Sequence, residues 1–239
     1  MGHLKIVAYL LQHGAYVNHQ DLIGRNILAT SVFMSTSNLS SQLEIVRLLI
    51  KYGANLDQCD ENSQTPLILA TKENALKLVE VLVRSGADID AIDNESLTAL
   101  TYSVQNDYTE MFEFLLRSNA ATHVLDKRGR SVLSIACSLG TEKIVSLLMD
   151  KGLDEMHRDN FGCTPLHEAT ISGHLRIVEM LLDYGSEIDA CDNEGKSALF
   201  YACQEGSYEL VKMLLQRNAD PNVKSHEGVT PYVVCILFI

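Results

Sequence analysis

Apolar residues along this chain come in paired short bursts, and the pairs return at a fixed interval. In residues 159–191, Leu166 and Ala169 form one burst, and Leu175, Ile177, Val178, Leu181 and Leu182 form the next. Spacing of i, i+3, i+4 lays such side chains along one helix face. Each burst therefore predicts a short amphipathic helix. The segment Asp159–Gly162 ahead of them, opening on Asp-Asn and closing on Gly, predicts a turn, and Pro165 suits a first helical turn, where a missing N–H is harmless. The same pattern recurs at constant spacing: Asp60, Asp93, Asp126, Asp159 and Asp192 each open a block, and Ser225 opens another. After each second helix stands Gly14, Gly53, Gly86, Asn119, Gly152, Gly185 or Asn218. Only Gly and Asn occur there, as a left-handed helix cap requires.

This frame divides the chain into a partial unit at 1–20, full units at 21–59, 60–92, 93–125, 126–158, 159–191 and 192–224, and a partial unit at 225–239. All belong to a single domain spanning 1–239. The unit opened by Asp21 is longer than the other full units, and its extra positions fall in the Ser/Thr/Asn-rich run Ser35–Gln42. Insertions into stacked helical repeats sit on loops, so this run is expected to be a surface loop, with a partner contact or a phosphorylation site as its functional reading. The last unit ends inside an apolar run, Pro231–Ile239, which is expected to fray or associate. Both ends read as those of a fragment or isoform of a longer array.

A turn and two short helices per block, with Thr164-Pro165-Leu166-His167-Glu168-Ala169 and Thr65-Pro66-Leu67-Ile68-Leu69-Ala70 in register, resemble the ankyrin repeat, whose period of about 33 residues this chain keeps. The resemblance implies an all-α ankyrin-repeat solenoid of helix-turn-helix units with β-hairpin-like fingers, six full and two partial. It further implies that His167 braces neighbouring turns by hydrogen bonding. The runs Gly129–Ala136 and Gly152–Asp159, with the insertion upstream, are similar to long ankyrin arrays that lie behind an NTPase-type domain and are linked to endosomal recycling. Ser63 and Ser96 depart from that pattern, standing where the turn glycine belongs.

Composition adds limits. Hydrophobic residues make up 46% of the chain, without tryptophan, as thin cores of Leu, Ile, Val and Ala require. Net charge is −12, and the sequence pI is about 5.0. Nucleic-acid binding needs Lys and Arg to neutralise phosphates, so a nucleic-acid partner is not expected, and a basic or mixed protein partner is. Six scattered cysteines without a C-x-x-C pair point to a reducing compartment, cytoplasm or nucleus; endosome association is implied only by the resemblance to the longer arrays. The N-terminal run Gly2–Leu11 repeats the pattern of Gly173–Leu182, so it reads as an outer helix and not as a signal sequence. No apolar stretch approaches the ~18 residues of a membrane span, so no direct membrane insertion is expected.

No catalytic or metal motif emerges. Gly195-Lys196-Ser197 resembles the end of a phosphate loop, but Ala190 stands where its first glycine belongs. His167 and Glu168 are followed by His174, too distant for a paired zinc motif. The expectation is a chain that is not an enzyme and uses no cofactor or metal.

Ankyrin proteins bind partners mainly through hairpin fingers and the exposed inner-helix face. Carried onto this chain, that implies contacts at Asn94, Glu95 and Leu97; at Lys127, Arg128, Arg130 and Leu139; at Asn160, Phe161 and Ile171; and at Asn193 and Glu194. Phe161, Ile171 and Leu139 would form an apolar anchor, with Lys127, Arg128 and Arg130 as a basic finger beside it. The family's asparaginyl-hydroxylation pattern, a Leu eight residues ahead of the Asn, matches Leu10–Asn18 and Leu214–Asn222. The expected role is a scaffold or adaptor that binds protein partners, as a monomer or in a partner-dependent assembly. The alternatives are the regulatory or targeting arm of a larger enzyme (an NTPase or a ubiquitin-ligase substrate receptor) and a passive spacer.

Overall fold

The computed structural model describes residues 2–33 and 39–237. The chain divides into two compact units, Met1–Ala121 and Thr122–Ile239, each built from helix pairs stacked side by side.

The first unit contains α1 (Gly2–Gln12), then the pairs α2 (Ile27–Val32) and α3 (Leu39–Lys51), α4 (Pro66–Lys72) and α5 (Leu76–Arg84), and α6 (Ala99–Gln105) and α7 (Thr109–Arg117). The second contains α8 (Val132–Leu139) and α9 (Glu142–Asp150), α10 (Pro165–Ile171) and α11 (Leu175–Asp183), α12 (Ala198–Gln204) and α13 (Tyr208–Gln216), then α14 (Pro231–Leu237). Within the first unit the inner helices α2, α4 and α6 stack in order, as do the outer helices α1, α3, α5 and α7. Within the second, α8, α10, α12 and α14 stack inside and α9, α11 and α13 outside. The core lies between successive pairs. Leu67, Ile68, Leu78, Leu82 and Phe112 fill it in the first unit, and Leu133, Ile135, Leu148, Leu166, Val178 and Leu199 in the second. Isolated helices this short are marginal in water, so stacking is what stabilises them.

The aspartate that opens each block clasps the finger turn. One oxygen, Oδ1, accepts the backbone N–H groups two and four residues on: Asn62 and Gln64 for Asp60, Glu95 and Leu97 for Asp93, Phe161 and Cys163 for Asp159. Asp21, Asp126 and Asp192 do the same. Glycine usually follows at positive φ, as at Gly162 (φ 80°), where a Cβ would meet the Asn193 backbone nitrogen at 2.6 Å. Ser63 and Ser96 accept the same left-handed conformation, at φ 59° and 60°. Helix starts are also capped: the Asn26, Thr65, Thr98, Ser131 and Ser197 side chains accept the N–H three residues on. The Gly and Asn residues that close the outer helices all have positive φ, from Gly14 to Asn218.

Neighbouring fingers are joined by backbone hydrogen bonds. Asn94 N–H donates to Asn62 O in the first unit, and Asn160 to Arg128 O, Asn193 to Phe161 O and His226 to Glu194 O in the second, at 2.8–3.1 Å. A second set of ties runs beside them, with Asp88 N–H to Asp57, Ala121 N–H to Asp90, and Asp220 N–H to Asp189.

Two expectations are revised. Of the run Ser35–Gln42, residues 35–38 lie outside the described residues, and Leu39–Gln42 are the first turn of α3, not loop. Gln42 is buried, and its amide donates to the Ser31 and Val32 carbonyls at the end of α2 (2.8 and 3.3 Å), which draws that turn into the helix pair. The terminal run is helical over Pro231–Leu237 and packs on α12, with Val234 buried and Tyr232 and Ile236 exposed. Residues 238–239 lie outside the described residues.

His167 is fully buried. Its Nδ1 accepts from Thr164 N–H at 3.1 Å, which leaves the proton on Nε2 to donate to Lys196 O in the next finger at 3.1 Å. Burial holds the imidazole below its ordinary value, and the Lys196 carbonyl opposes this. The unfolded chain therefore takes up this proton more readily than the folded one. The resulting stability is complete above about pH 6.5 and is lost as pH falls through the lower folded value. His167→Ala should cost about 1–3 kcal/mol at neutral pH. It should also flatten the pH dependence of urea midpoints just below about pH 6.5, measured against the wild type.

Candidate partner-binding site

Three fingers and two inner helices of the second unit line a half-open cavity of about 320 Å³. Arg128 projects from one finger, Phe161 from the next, and Glu194 from the third, while Glu168 and Ile171 come from α10 and Tyr201 from α12. The aspartate clasp fixes each tip. Asp159 binds the Phe161 and Cys163 N–H groups at 2.9 Å, which turns the Phe161 ring outward, 59% exposed. The Arg128 guanidinium lies 5.5 Å from the centre of that ring. Ile171, the last residue of α10, is 38% exposed and supplies an apolar wall.

The floor is charged and buried. In the blocks opened by Asp93 and Asp192, the second carboxylate oxygen accepts a tyrosine hydroxyl nine residues on, from Tyr102 (2.6 Å) and Tyr201 (2.5 Å). The corresponding residue in the Asp159 block is Glu168. Asp159 Oδ2 is buried without a hydrogen-bond partner, and a second buried carboxylate lies beside it. Arg128 approaches both at length: Nη2 is 3.8 Å from Asp159 Oδ2 and 3.5 Å from Glu168 Oε1. Arg130 turns inward, bonding Asp126 Oδ2 at 2.9 Å and reaching Glu168 Oε2 at 3.5 Å. Burial pushes the Glu168 carboxyl up, and the two guanidinium groups pull it back.

Asp159, Cys163 and Glu168 place one donor atom each within 4.8 Å of one another. The set suits a metal poorly. Burial, aided by the surrounding carboxylates, pushes the Cys163 thiol up to about 12, whereas a metal binds the thiolate. Two guanidinium groups already face the carboxylates.

The ankyrin pattern "Ankyrin repeats (3 copies)" matches residues 32–126, 100–192 and 153–225, and "Ankyrin repeat" matches residues 1–22. The chain belongs to the ankyrin-repeat family. Among solved structures it is similar to the ankyrin repeat domain of Bcl-3, described as a unique member of the IkappaB protein family. The two are 29% identical with a TM-score of 0.77, over 88% of this chain and 94% of that one. No curated protein sequence matches it, so the narrower likeness to arrays behind an NTPase-type domain gains nothing from these comparisons.

Within the ankyrin frame, the residues expected at the interface separate into groups. Phe161, Ile171, Arg128, Asn160, Asn193 and Glu194 line one cavity together. Leu139, exposed at the end of α8, lies outside it. Arg130 is no part of an open basic finger: its side chain is only 17% exposed and is paired inward, because Asp126 and Glu168 both draw it to the floor. Leu97 is a correction, since it is buried at 8% exposure beneath the Asp93 clasp and offers no contact surface. Asn160 and Asn193 spend their amides on the preceding finger, donating to Lys127 O and Asn160 O at 3.1 Å, and Asn94 does the same to Glu61 O in the first unit. Lys127 and Glu95 are exposed at finger tips. Glu194 pairs with Lys196 at 2.6 Å.

Of the two hydroxylation candidates, Asn18 has both ends of its amide engaged, donating to Gly53 O and accepting from Asn55 N–H. It thus takes the tying role that aspartate plays elsewhere. Asn222 is exposed and bonds Asp220 within its own turn. Glu168 enters the sequence reading only as part of a zinc motif and not as a residue of this site. A comparison nine residues beyond each opening aspartate would have found it: Thr30, Leu69, Tyr102, Ile135, Glu168, Tyr201.

Arg130 and Arg128 should differ sharply on truncation. Arg130→Ala strips the Asp126 carboxylate of its 2.9 Å partner and Glu168 of one of its two cations, and should cost about 3 kcal/mol or more. Arg128→Ala, half-exposed and at longer range, should cost less than about 1 kcal/mol. Urea denaturation of the two variants decides this.

Proposed function

We propose that this chain is a protein-recognition module, acting as a scaffold or adaptor, that seats its partner at the fingers and inner-helix face of the second unit. The observation that carries this is the exposure of Phe161 and Ile171 on the rim of one cavity whose floor is charged and buried. An aromatic anchor beside an arginine, with polar groups around it, is the usual make-up of a binding hot spot. Ankyrin repeats serve generally as protein-interaction modules, which supports the same reading. A passive spacer would gain nothing from leaving a phenylalanine ring in water at a fingertip. Among the described residues no helix is long and apolar enough to cross a membrane.

The test is retention of proteins from a cell lysate, quantified by mass spectrometry, on the wild-type chain and on a Phe161→Ala/Ile171→Asp variant with an unchanged circular dichroism spectrum. Specific partners should be lost from the variant, with affinity falling about thirty-fold or more, the equivalent of a hot spot of ~2 kcal/mol. Equal retention by both would overturn the assignment of this face.

A further inference from the structure

The position nine residues beyond the opening aspartate shows what the stack itself demands. Leu69 and Ile135 occupy it as plain core residues, Tyr102 and Tyr201 as donors to the aspartate, and Thr30 as an exposed residue whose hydroxyl bonds its own helix turn. Glu168 alone is charged. It brings a second buried carboxylate against Asp159, whose Oδ2 lacks a hydrogen-bond partner. Buried carboxylates without close donors are costly, and the other layers fill this position with uncharged residues that avoid the cost. Only Arg128 and Arg130, at 3.5–3.8 Å, answer the two carboxylates, so the pocket floor is short of close donors in a way the solenoid does not require.

Arg128 marks what would fit. Its guanidinium lies over the Phe161 ring and against both carboxylates, but at 3.5 and 3.8 Å. A charge-assisted contact closes to about 2.7–2.9 Å when free to do so. Arg128 is not free: its own N–H is clasped by Asp126, and its carbonyl accepts from Asn160 N–H. Its side chain is half-exposed, so it is able to swing out.

We propose that this pocket receives an arginine side chain from a partner polypeptide, the guanidinium stacked on Phe161 and donating to Glu168 in front of Asp159, the aliphatic stem along Ile171. Guanidinium offers five N–H donors in a planar fork, enough for more than one carboxylate oxygen, and it stacks on aromatic faces. Lysine has neither the plane nor the fork. The acidic balance of the whole chain, −12, favours the approach of a basic segment. The proposal rests on the partner-recognition reading above and names the chemistry that site selects. It assigns Glu168 as the specificity residue and Arg128 as the resident competitor that the ligand displaces.

The test is an NMR titration of the ¹⁵N-labelled chain with Nα-acetyl-arginine amide, Nα-acetyl-lysine amide and the neutral isostere Nα-acetyl-citrulline amide. The arginine probe should give saturable shifts at the Phe161, Gly162, Cys163 and Ile171 amides. Citrulline should bind at least about tenfold more weakly, the loss expected for charge-assisted bonds, and lysine should fall between. Glu168→Gln should weaken the arginine probe by a similar factor, and Arg128→Ala should tighten it. Equal binding of citrulline, shifts confined to other surfaces, no saturable shift with arginine, or weaker binding by Arg128→Ala would each overturn the proposal. So would tight binding of zinc, followed by the thiolate absorption of the cobalt-substituted protein, because the cluster would then be a metal centre. If the arginine probe fails while Phe161→Ala/Ile171→Asp still releases the lysate partners, the arginine specificity falls and the recognition face stands.

Discussion

One carboxylate oxygen per repeat holds this architecture in register. The Oδ1 atom of the opening aspartate gathers two backbone N–H groups and fixes the finger turn. The fixed turn presents a carbonyl that the next finger's N–H reaches, as Phe161 O accepts from Asn193. It also sets where the inner helix begins, so that its capping residue meets the first unpaired N–H groups. None of these helices would persist alone. They persist because each clasp positions a helix pair so that its apolar flank meets the flank of the next. The aspartate recurs at the head of block after block because every layer needs its own clasp.

That dependence explains why so much of the fold was legible. A clasp, a cap and a left-handed C′ residue are local chemistry, decided by residues within a few positions of one another. The period, the helix pairs and the positive φ at Gly14, Asn119 and Asn218 could therefore be read directly. One misplaced piece was decided across a distance. Gln42 looks like the end of a polar insertion until its amide is seen on the Ser31 and Val32 carbonyls, eleven and ten residues back. Leu97 was misplaced for a local reason: it sits at a nominal contact position, but its N–H is held by Asp93 four residues back and its side chain is buried.

The candidate site was legible by halves. Phe161 and Ile171 could be picked out because apolar residues at exposed repeat positions are anomalous one at a time. Arg130 was misplaced because two carboxylates turn it inward: Asp126, four residues back at 2.9 Å, and Glu168 in the following block at 3.5 Å. Glu168 itself stands inside the best-formed motif of the chain, Thr164–Ala169, where familiarity hides it. Only comparison with its counterparts in other layers exposes it as a departure.

Such departures carry information because a repeat protein contains its own controls. Leu69, Ile135, Tyr102 and Tyr201 occupy equivalent layers and are held by the same neighbouring geometry. They establish that an apolar side chain or a neutral donor suffices for stacking there. A buried ion cluster replaced by apolar residues is often neutral or even stabilising, so stability alone gives no reason to keep charge at this layer. The Asp159 layer nevertheless concentrates two buried carboxylates and two arginines behind an exposed aromatic ring, in the part of the second unit where the fingers open a cavity. A charge placed against the preference of the stack, and next to a surface that solvent would rather not touch, is better explained by what it meets from outside than by what it holds within.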